Sequence, residues 1–278
     1  MKHLVLLVVF LNALGIGAQD LSLLTYNIKF DDPTDTINGW KNRKDFLISQ
    51  LNYNHPDVFG TQEGLHHQLE DIKYGLEDYD FFGVGRDFGD TRGEFTAIFY
   101  NTKKLELLEQ QTFWLSQESN IPSKGWDAAL NRTCTYAFFE TKASDRRILV
   151  LNTHFDHVGE QARKASALLI LKKVKEINVN DLPVIIMGDF NLEPQTEGIQ
   201  SILKTFNDTH MLAEKAFGPT GTFNGFKFDK PVTRRIDYVF ASKDLQIVKS
   251  GILSDSMDCH YPSDHFPVYV ELILKQEE

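Results

Sequence analysis

The chain has 278 residues, of which 42% are hydrophobic and 24% charged, and its formal net charge is −10. That size and balance suit one globular domain with a sizeable core and exclude fibrous and disordered classes. The acidic excess shows no basic footprint of the kind duplex binding uses, so it leans away from nucleic acid and leaves small phosphorylated partners open.

The first predicted element is a leader. Met1-Lys2-His3 is a short basic start, residues 4–11 form an unbroken apolar run, and Gly15-Ile16-Gly17-Ala18 supplies small residues ahead of Gln19. This is the shape of a cleavable signal peptide over 1–18, with one mature domain over 19–278. It predicts an exported protein, periplasmic or extracellular, and a monomer is expected. The apolar run is too short to cross a bilayer, and no later stretch resembles a membrane span. Cys134 and Cys259 are the only cysteines. Export permits a bridge between them, and a fold of this size does not require one.

Strand-like and helix-like segments then alternate. Residues 21–30 read as a strand, 42–51 as a helix ended by Asn54-His55-Pro56, 57–62 as a short strand and 66–76 as a helix. Residues 95–100, 105–115, 133–141 and 147–154 are strands rich in β-branched and aromatic residues. The clearest helix is 159–178, with Ala167, Ile170, Leu171, Val174 and Ile177 on one stripe and Lys172, Lys173, Lys175 and Glu176 off it. A buried strand at 183–188, a helix at 199–206 and strands at 236–241 and 245–253 follow. In the last strand Phe266, Val268, Val270, Leu272 and Leu274 face one way, Tyr269 and Glu271 the other. Short links between many strands argue against a purely parallel sheet. Two packed mixed sheets with helices outside are expected.

Several strands end alike: an apolar run stops and a polar, metal-capable residue follows. Leu23-Leu24-Thr25-Tyr26 leads to Asn27, Val58-Phe59-Gly60-Thr61 to Gln62-Glu63, Leu149-Val150-Leu151 to Asn152-Thr153-His154, and Val184-Ile185-Ile186-Met187 to Gly188-Asp189-Phe190-Asn191. Strand ends place side chains on a rigid rim, so the repetition points to one shared site. Asn27, Glu63, Asp189, Asn191 and Asp264 offer oxygen atoms, which suit magnesium or manganese better than zinc. No Gly-x-Ser-x-Gly elbow, Walker A loop or His-Glu-x-x-His helix is present. Asp237 lies within an apolar strand, where an unpaired carboxylate is costly, and His265 is its proposed partner.

In these pieces the chain resembles the endonuclease/exonuclease/phosphatase superfamily, deoxyribonuclease I-like, in a secreted bacterial-type form. The matching motifs are Leu24-Thr25-Tyr26-Asn27-Ile28, Gln62-Glu63, Asn152-Thr153-His154, Gly188-Asp189-Phe190-Asn191, Arg235-Ile236-Asp237-Tyr238-Val239 and Ser263-Asp264-His265, in the family's order over nearly the whole mature chain. The resemblance implies a four-layer α-β-β-α sandwich and metal-assisted attack of water on phosphorus. It implies Glu63 as principal metal carboxylate with Asn27 and Asp264 nearby. Asp189 and Asn191 would hold the attacking water or phosphate oxygens. His265, oriented by Asp237, would be base or phosphate donor, and His154 would donate to phosphate or protonate the leaving group. It also implies a pair between Glu94 and His154, as in the branches that carry histidine there.

The remaining candidates are substrate-binding residues. Arg132 matches phosphate geometry or stands as a surface arginine. His157 and Arg163 follow the His154 motif, and Asn152 belongs to it. Trp126, with Trp114, forms an aromatic wall or packs in loop and core. The reading is a magnesium- or manganese-dependent phosphodiesterase or phosphatase on a small or lipid-linked phosphate ester. A secreted nuclease is the alternative, and an inactive binding module on the same scaffold is a third reading that the filled catalytic positions oppose.

Overall fold

A computed structural model describes residues 19–274. The leader expected over 1–18 lies outside the described residues. In chain order the elements are β1 (Gln19–Asn27), α1 (Trp40–Asn54), β2 (Val58–Gly64), α2 (His66–Gly75), β3 (Tyr79–Phe82), β4 (Phe95–Asn101), β5 (Leu105–Trp114), β6 (Thr133–Thr141), β7 (Arg147–His154), α3 (Glu160–Ile177), β8 (Val184–Asp189), α4 (Glu197–Leu203), β9 (Phe206–Asp208), α5 (Thr209–Leu212), β10 (Lys215–Phe217), β11 (Asp237–Ser242), β12 (Gln246–Ile252) and β13 (Val268–Leu274).

Two mixed sheets form. The first has the order β10-β12-β13-β1-β2-β4-β3, the second β5-β6-β7-β8-β11-β9. Each has a central parallel pair flanked by antiparallel neighbours, β1 beside β2 in the first sheet and β7 beside β8 in the second, and the short edge strand β10 adds a further parallel pairing with β12 in the first. The expected four-layer sandwich is the observed architecture. One apolar cluster lies between the sheets and includes Leu21, Leu23, Val58, Val150, Ile185, Met187, Val239 and Val270. A second joins the outer face of β7 and β8 to α3 and α4 through Leu149, Leu151, Ile186, Ile170 and Ile199. A third joins the outer face of β1 and β2 to α1 and α2 through Leu24, Phe59, Leu47 and Leu69.

Strand periodicity explains how this core becomes a site. Alternate side chains share a face. In β1 the inner face runs Leu21, Leu23, Thr25, Asn27; in β7 it runs Ile148, Val150, Asn152, His154; in β8, Ile185, Met187, Asp189. Each inner row is apolar at depth and polar at the strand's C-terminal end. The parallel registers bring these ends level, with Asn27 opposite Gln62 and His154 opposite Asp189, and antiparallel β11 sets Asp237 opposite Asp189.

A few assignments shift. The helix expected at 199–206 ends at Leu203, and Phe206 opens β9. On α3, Ala167, Ile170 and Val174 are buried while Leu171 and Ile177 are half-buried. Cys134 is buried in β6 and Cys259 is exposed, and both are free thiols.

Candidate active site

Between the inner apolar core and the sheet rim lies a polar layer. Gln62 Nε2 donates to Thr25 Oγ1 at 3.0 Å and to Asn152 Oδ1 at 2.6 Å. Asn152 Nδ2 donates to the carbonyls of Thr61 at 2.9 Å and Ala97 at 2.8 Å. All the amide groups of Asn152 are therefore spent within the floor, and its place corrects the expectation that it binds substrate. It ties the two sheets together one step below the cavity.

Above that floor the strand ends converge. Asn27 Nδ2 donates to Glu63 Oε1 and to Asp189 Oδ2, both at 3.0 Å, and lies 3.4 Å from His265 Nε2. Its Oδ1 accepts the Lys29 N–H at 3.1 Å. Asn27 thus stands between two carboxylates from different sheets as a neutral donor. Asp189 Oδ1 accepts the Asn191 N–H at 2.8 Å, which the left-handed Asn191 (φ 48°) turns toward it. His265 Nδ1 lies 2.9 Å from Asp237 Oδ2, so the expected pair is formed. Phe223 packs edge-on against the His265 ring at 5.0 Å.

His154 is held differently from the expectation. Arg132 Nη1 lies 3.1 Å from both ring nitrogens, and Asn191 Nδ2 lies 3.3 Å from Nε2. Glu94 instead forms a two-pronged pair with Arg86, at 2.5 and 2.8 Å. The Glu94–His154 pair is therefore corrected: Arg86 meets the carboxylate with a geometry a single imidazole N–H cannot match. Arg132 is buried, not a surface residue, and its Nη2 lies 2.9 Å from His157 Nδ1. Asp156 anchors it at 3.4 Å while accepting backbone N–H groups of Ala129, Leu130, Val158 and Gly159.

These groups line a cavity of about 420 Å³ whose walls include Lys29, Glu63, Glu94, Arg132, His154, His157, Asp189, Asn191, Asp264 and His265. Arg163 and Trp126 are not among its lining residues. Arg163 Nη1 reaches back to the Asp156 carbonyl at 3.2 Å, and Trp126 sits on the Gln117 side chain through its backbone N–H at 3.3 Å. The two residues expected to contact substrate thus stand outside this cavity wall. Trp114 is buried and donates to the Arg86 carbonyl at 2.7 Å, which is the packing role. Sequence reasoning missed Lys29, Phe30, Leu130, Phe223, Arg234 and Ile236, which complete the walls. Lys29, Phe30, Arg234 and Ile236 lie in or beside a motif, which was their one signal; Leu130 and Phe223 lie far from any motif in the chain and had none.

The electrostatics separate the groups. Burial and the neighbouring Asp237 push the Asp189 carboxyl up to about 7, against the pull of His265. Burial and Glu63 push Glu94 up to about 7 despite Arg86. His265 goes the other way from an ordinary buried imidazole: burial works against its charge, but Asp237 and Asp189 push it up to about 10. Burial, then the Arg132 and Arg86 charges, hold His154 well below its ordinary value, so its ring is neutral at physiological pH. Burial opposes ionisation of Glu63, yet Lys29, His265 and the Asn27 amide keep it below the usual carboxylate range.

The donor set fits a hard divalent cation. Asp264 Oδ1 is buried with no hydrogen-bond partner among the described residues, and it stands in the same cavity as the Glu63 carboxylate. A further group, Asp189, Asp237 and His265, brings its ligand atoms within 4.8 Å of one another. In that group the Asp237–His265 hydrogen bond engages Asp237 Oδ2, whereas Asp264 Oδ1 is free among the described residues and Glu63, though it accepts from Asn27, Phe30 and Lys29, lines the same cavity.

Fold and site together define a metal-dependent phosphoester hydrolase. The profile described as "Endonuclease/Exonuclease/phosphatase family" matches residues 24–265, and the chain belongs to that family. A family protein from Bacteroides thetaiotaomicron is 36% identical, with a TM-score of 0.92 over 94% of this chain and 100% of that one. A mannosyl-6-phosphatase from the same organism is 37% identical, with a TM-score of 0.88 over 91% of this chain and 100% of that one. The 3'-5'-exoribonuclease subunit Ccr4 of Mycosarcoma maydis is 24% identical; the alignment takes in 94% of this chain and 51% of that one, so the chain spans about half of that relative's length.

Proposed function

We propose that this enzyme is a phosphomonoesterase acting on a small, sugar-type phosphate ester with magnesium or manganese as cofactor. The observation that carries the reading is the cavity: three cationic side chains, Lys29, Arg132 and Arg234, line it beside His154 and His265. A monoester is a dianion near neutral pH, and a cavity of about 420 Å³ with several convergent cations suits it. The likeness to a mannosyl-6-phosphatase supports the same choice.

Glu63 and Asp264 would hold the cation, which when bound offsets phosphate charge and lowers the pKa of water. His265, kept protonated by Asp237, donates to a phosphate oxygen and stabilises charge that grows in the transition state. Asp189 has the value near neutrality that suits a general base, with Asn191 fixing one of its oxygens. His154, neutral under Arg132, donates to the phosphate without adding charge. Arg132 and Arg234 bracket the substrate, while Phe30, Leu130 and Phe223 form apolar walls for the carbon skeleton of the leaving group.

A substrate panel tests this: sugar 6-phosphates and nitrophenyl phosphate against bis-nitrophenyl phosphate, sphingomyelin, plasmid DNA and oligoribonucleotides, each with magnesium or manganese. Sugar monoesters are expected to give the highest kcat/KM, with turnover abolished by chelator and restored by the ion. The exoribonuclease relatives give the nuclease reading its support, and faster turnover of an oligonucleotide than of any monoester would decide for it. Export with cleavage after Ala18 belongs to the same proposal, as does a monomeric state; N-terminal sequencing and sedimentation of the product made in its native host test them.

A further inference from the structure

Two residues at the rim of the first sheet adopt left-handed backbone conformations although neither is glycine: Lys29 (φ 56°) and Glu63 (φ 65°). Such conformations are costly for residues with long side chains and persist only where the surroundings enforce them. Both are enforced here. The Lys29 N–H donates to Asn27 Oδ1 at 3.1 Å, and its carbonyl accepts Arg43 Nη2 and Gln68 Nε2, each at 3.0 Å. Arg43 and Gln68 are buried side chains of α1 and α2. Glu63 lies where the register between β2 and β4 slips, between Thr61 and Gly64.

The two distortions face each other. The Lys29 ammonium lies 3.4 Å from Glu63 Oε2 and 4.4 Å from the centre of the Phe30 ring, inside the cavity. Glu63, Glu94, Asp189 and Asp264 all line that cavity, so a cation at Glu63 relieves repulsion among them. Three cationic side chains act on this carboxylate, Lys29, Arg43 and His265, and they differ in freedom; His265 is fixed by Asp237 at 2.9 Å. Arg43 is fixed by the carbonyls of Ile28, Lys29, Asn38 and Pro262. Lys29 has a flexible stem, and Glu63 is the carboxylate its ammonium meets, so it can leave by a change of rotamer.

We infer that Lys29 is a built-in counter-cation of the Glu63 metal seat, so that entry of the divalent ion is an exchange of cations rather than a simple addition. The ion takes the place of the ammonium at Glu63. The released ammonium stays tethered in the same cavity, where the substrate phosphate receives it. The inference rests on the assignment of Glu63 to the metal under the proposed function. Its consequence is that Lys29 lowers metal affinity while protecting the metal-free fold.

Calorimetric titration of chelator-treated protein with Mn²⁺ tests it, without any substrate. Lys29→Met is expected to bind Mn²⁺ roughly two- to fivefold more tightly than wild type, the scale of one partly screened ion pair. Lys29→Arg keeps the charge and is expected to stay near wild type. The chelated Lys29→Met protein should also melt earlier, and gain more on adding Mn²⁺, than wild type. Lys29→Met binding equal to or weaker than wild type overturns the inference while Glu63→Gln still loses the ion. Binding unaffected by Glu63→Gln removes the seat itself, and the inference falls with it.

Discussion

Asp237 and His265 meet across the second sheet's rim, where a buried carboxylate without a partner would be costly. Asp237 Oδ2 holds His265 Nδ1 at 2.9 Å, and that charge is what keeps the imidazole protonated against burial. Asp237→Asn preserves shape and removes the charge. The ring then loses the largest of the charges that hold its proton, and kcat is expected to fall on the order of 10²–10⁴-fold, the span of positioned acid–base and charge-donating groups. Steady-state kinetics beside a melting curve checks this, and wild-type kcat in a folded variant would refute the role given to His265. Arg132→Lys is expected to raise KM, because a point charge cannot contact His154, His157 and Asp156 at once. Unchanged KM would return Arg132 to a scaffold role. At this scale residue type was readable from sequence and depth was not. Asn152 and His154 lie two positions apart on one strand face, so periodicity treats them alike. Only the height of the cavity floor makes one a tie between sheets and the other a wall of the site. Glu94 was misassigned for a related reason: its partner Arg86 lies on a loop, where no period predicts which side chains meet.

Among elements, the β7–β8 pair carries the most constraint. Gly188 has φ 146°, and a Cβ there would lie 2.0 Å from the Thr153 carbonyl oxygen of the neighbouring strand. Neither the backbone of β7 nor Asp189 one residue later can give way without moving the site. Gly188→Ala is therefore expected to destabilise by about 1–3 kcal/mol, the usual cost of overpacking, and to lower activity beyond what the lost stability explains. Chemical denaturation with kinetics on the folded fraction measures both; a variant with unchanged midpoint would show that the strands can part freely. The longer elements were legible because their patterns are long. The strands over 133–141 and 147–154 coincide with β6 and β7, and α3 differs by one residue at each end from the expected 159–178. What escaped were β3, β9, α5 and β10, each of four residues or fewer. Segments that short hold less than two periods of any pattern, and β9 and β10 exist because long neighbours, β11 and β12, offer them an edge.

Taken as a whole, the metal-free molecule stores charge in a way that makes its stability depend on pH with a definite sign. His265 is pushed up to about 10 from an ordinary 6.5. The folded protein therefore keeps a proton that the unfolded chain releases, and stability from this group is complete below pH 6.5 and lost as pH rises toward 10. Asp189 and Glu94, both raised to about 7, add in the same direction at lower pH: what they contribute is present below the ordinary carboxylate range and gone above about 7. Glu63 and Asp156, both held below the usual carboxylate range, act oppositely, and their contribution is lost only as pH falls through acid values. Between pH 7 and 10 the last protons of Asp189 and Glu94 leave near neutrality and the buried Cys134 thiol, held above its ordinary range, adds in the same direction near pH 9, while the raised imidazole acts across the whole window. The melting temperature of chelator-treated protein is thus expected to fall steadily from pH 7 to 10. The double variant His265→Gln with Asp237→Asn removes the buried charge pair together, leaving no orphaned carboxylate, and its profile over that window should be flatter. A melting temperature that holds level to pH 10 in the wild type, or an equally steep fall in the double variant, would show that the imidazolium is not the group that ties this fold to its proton.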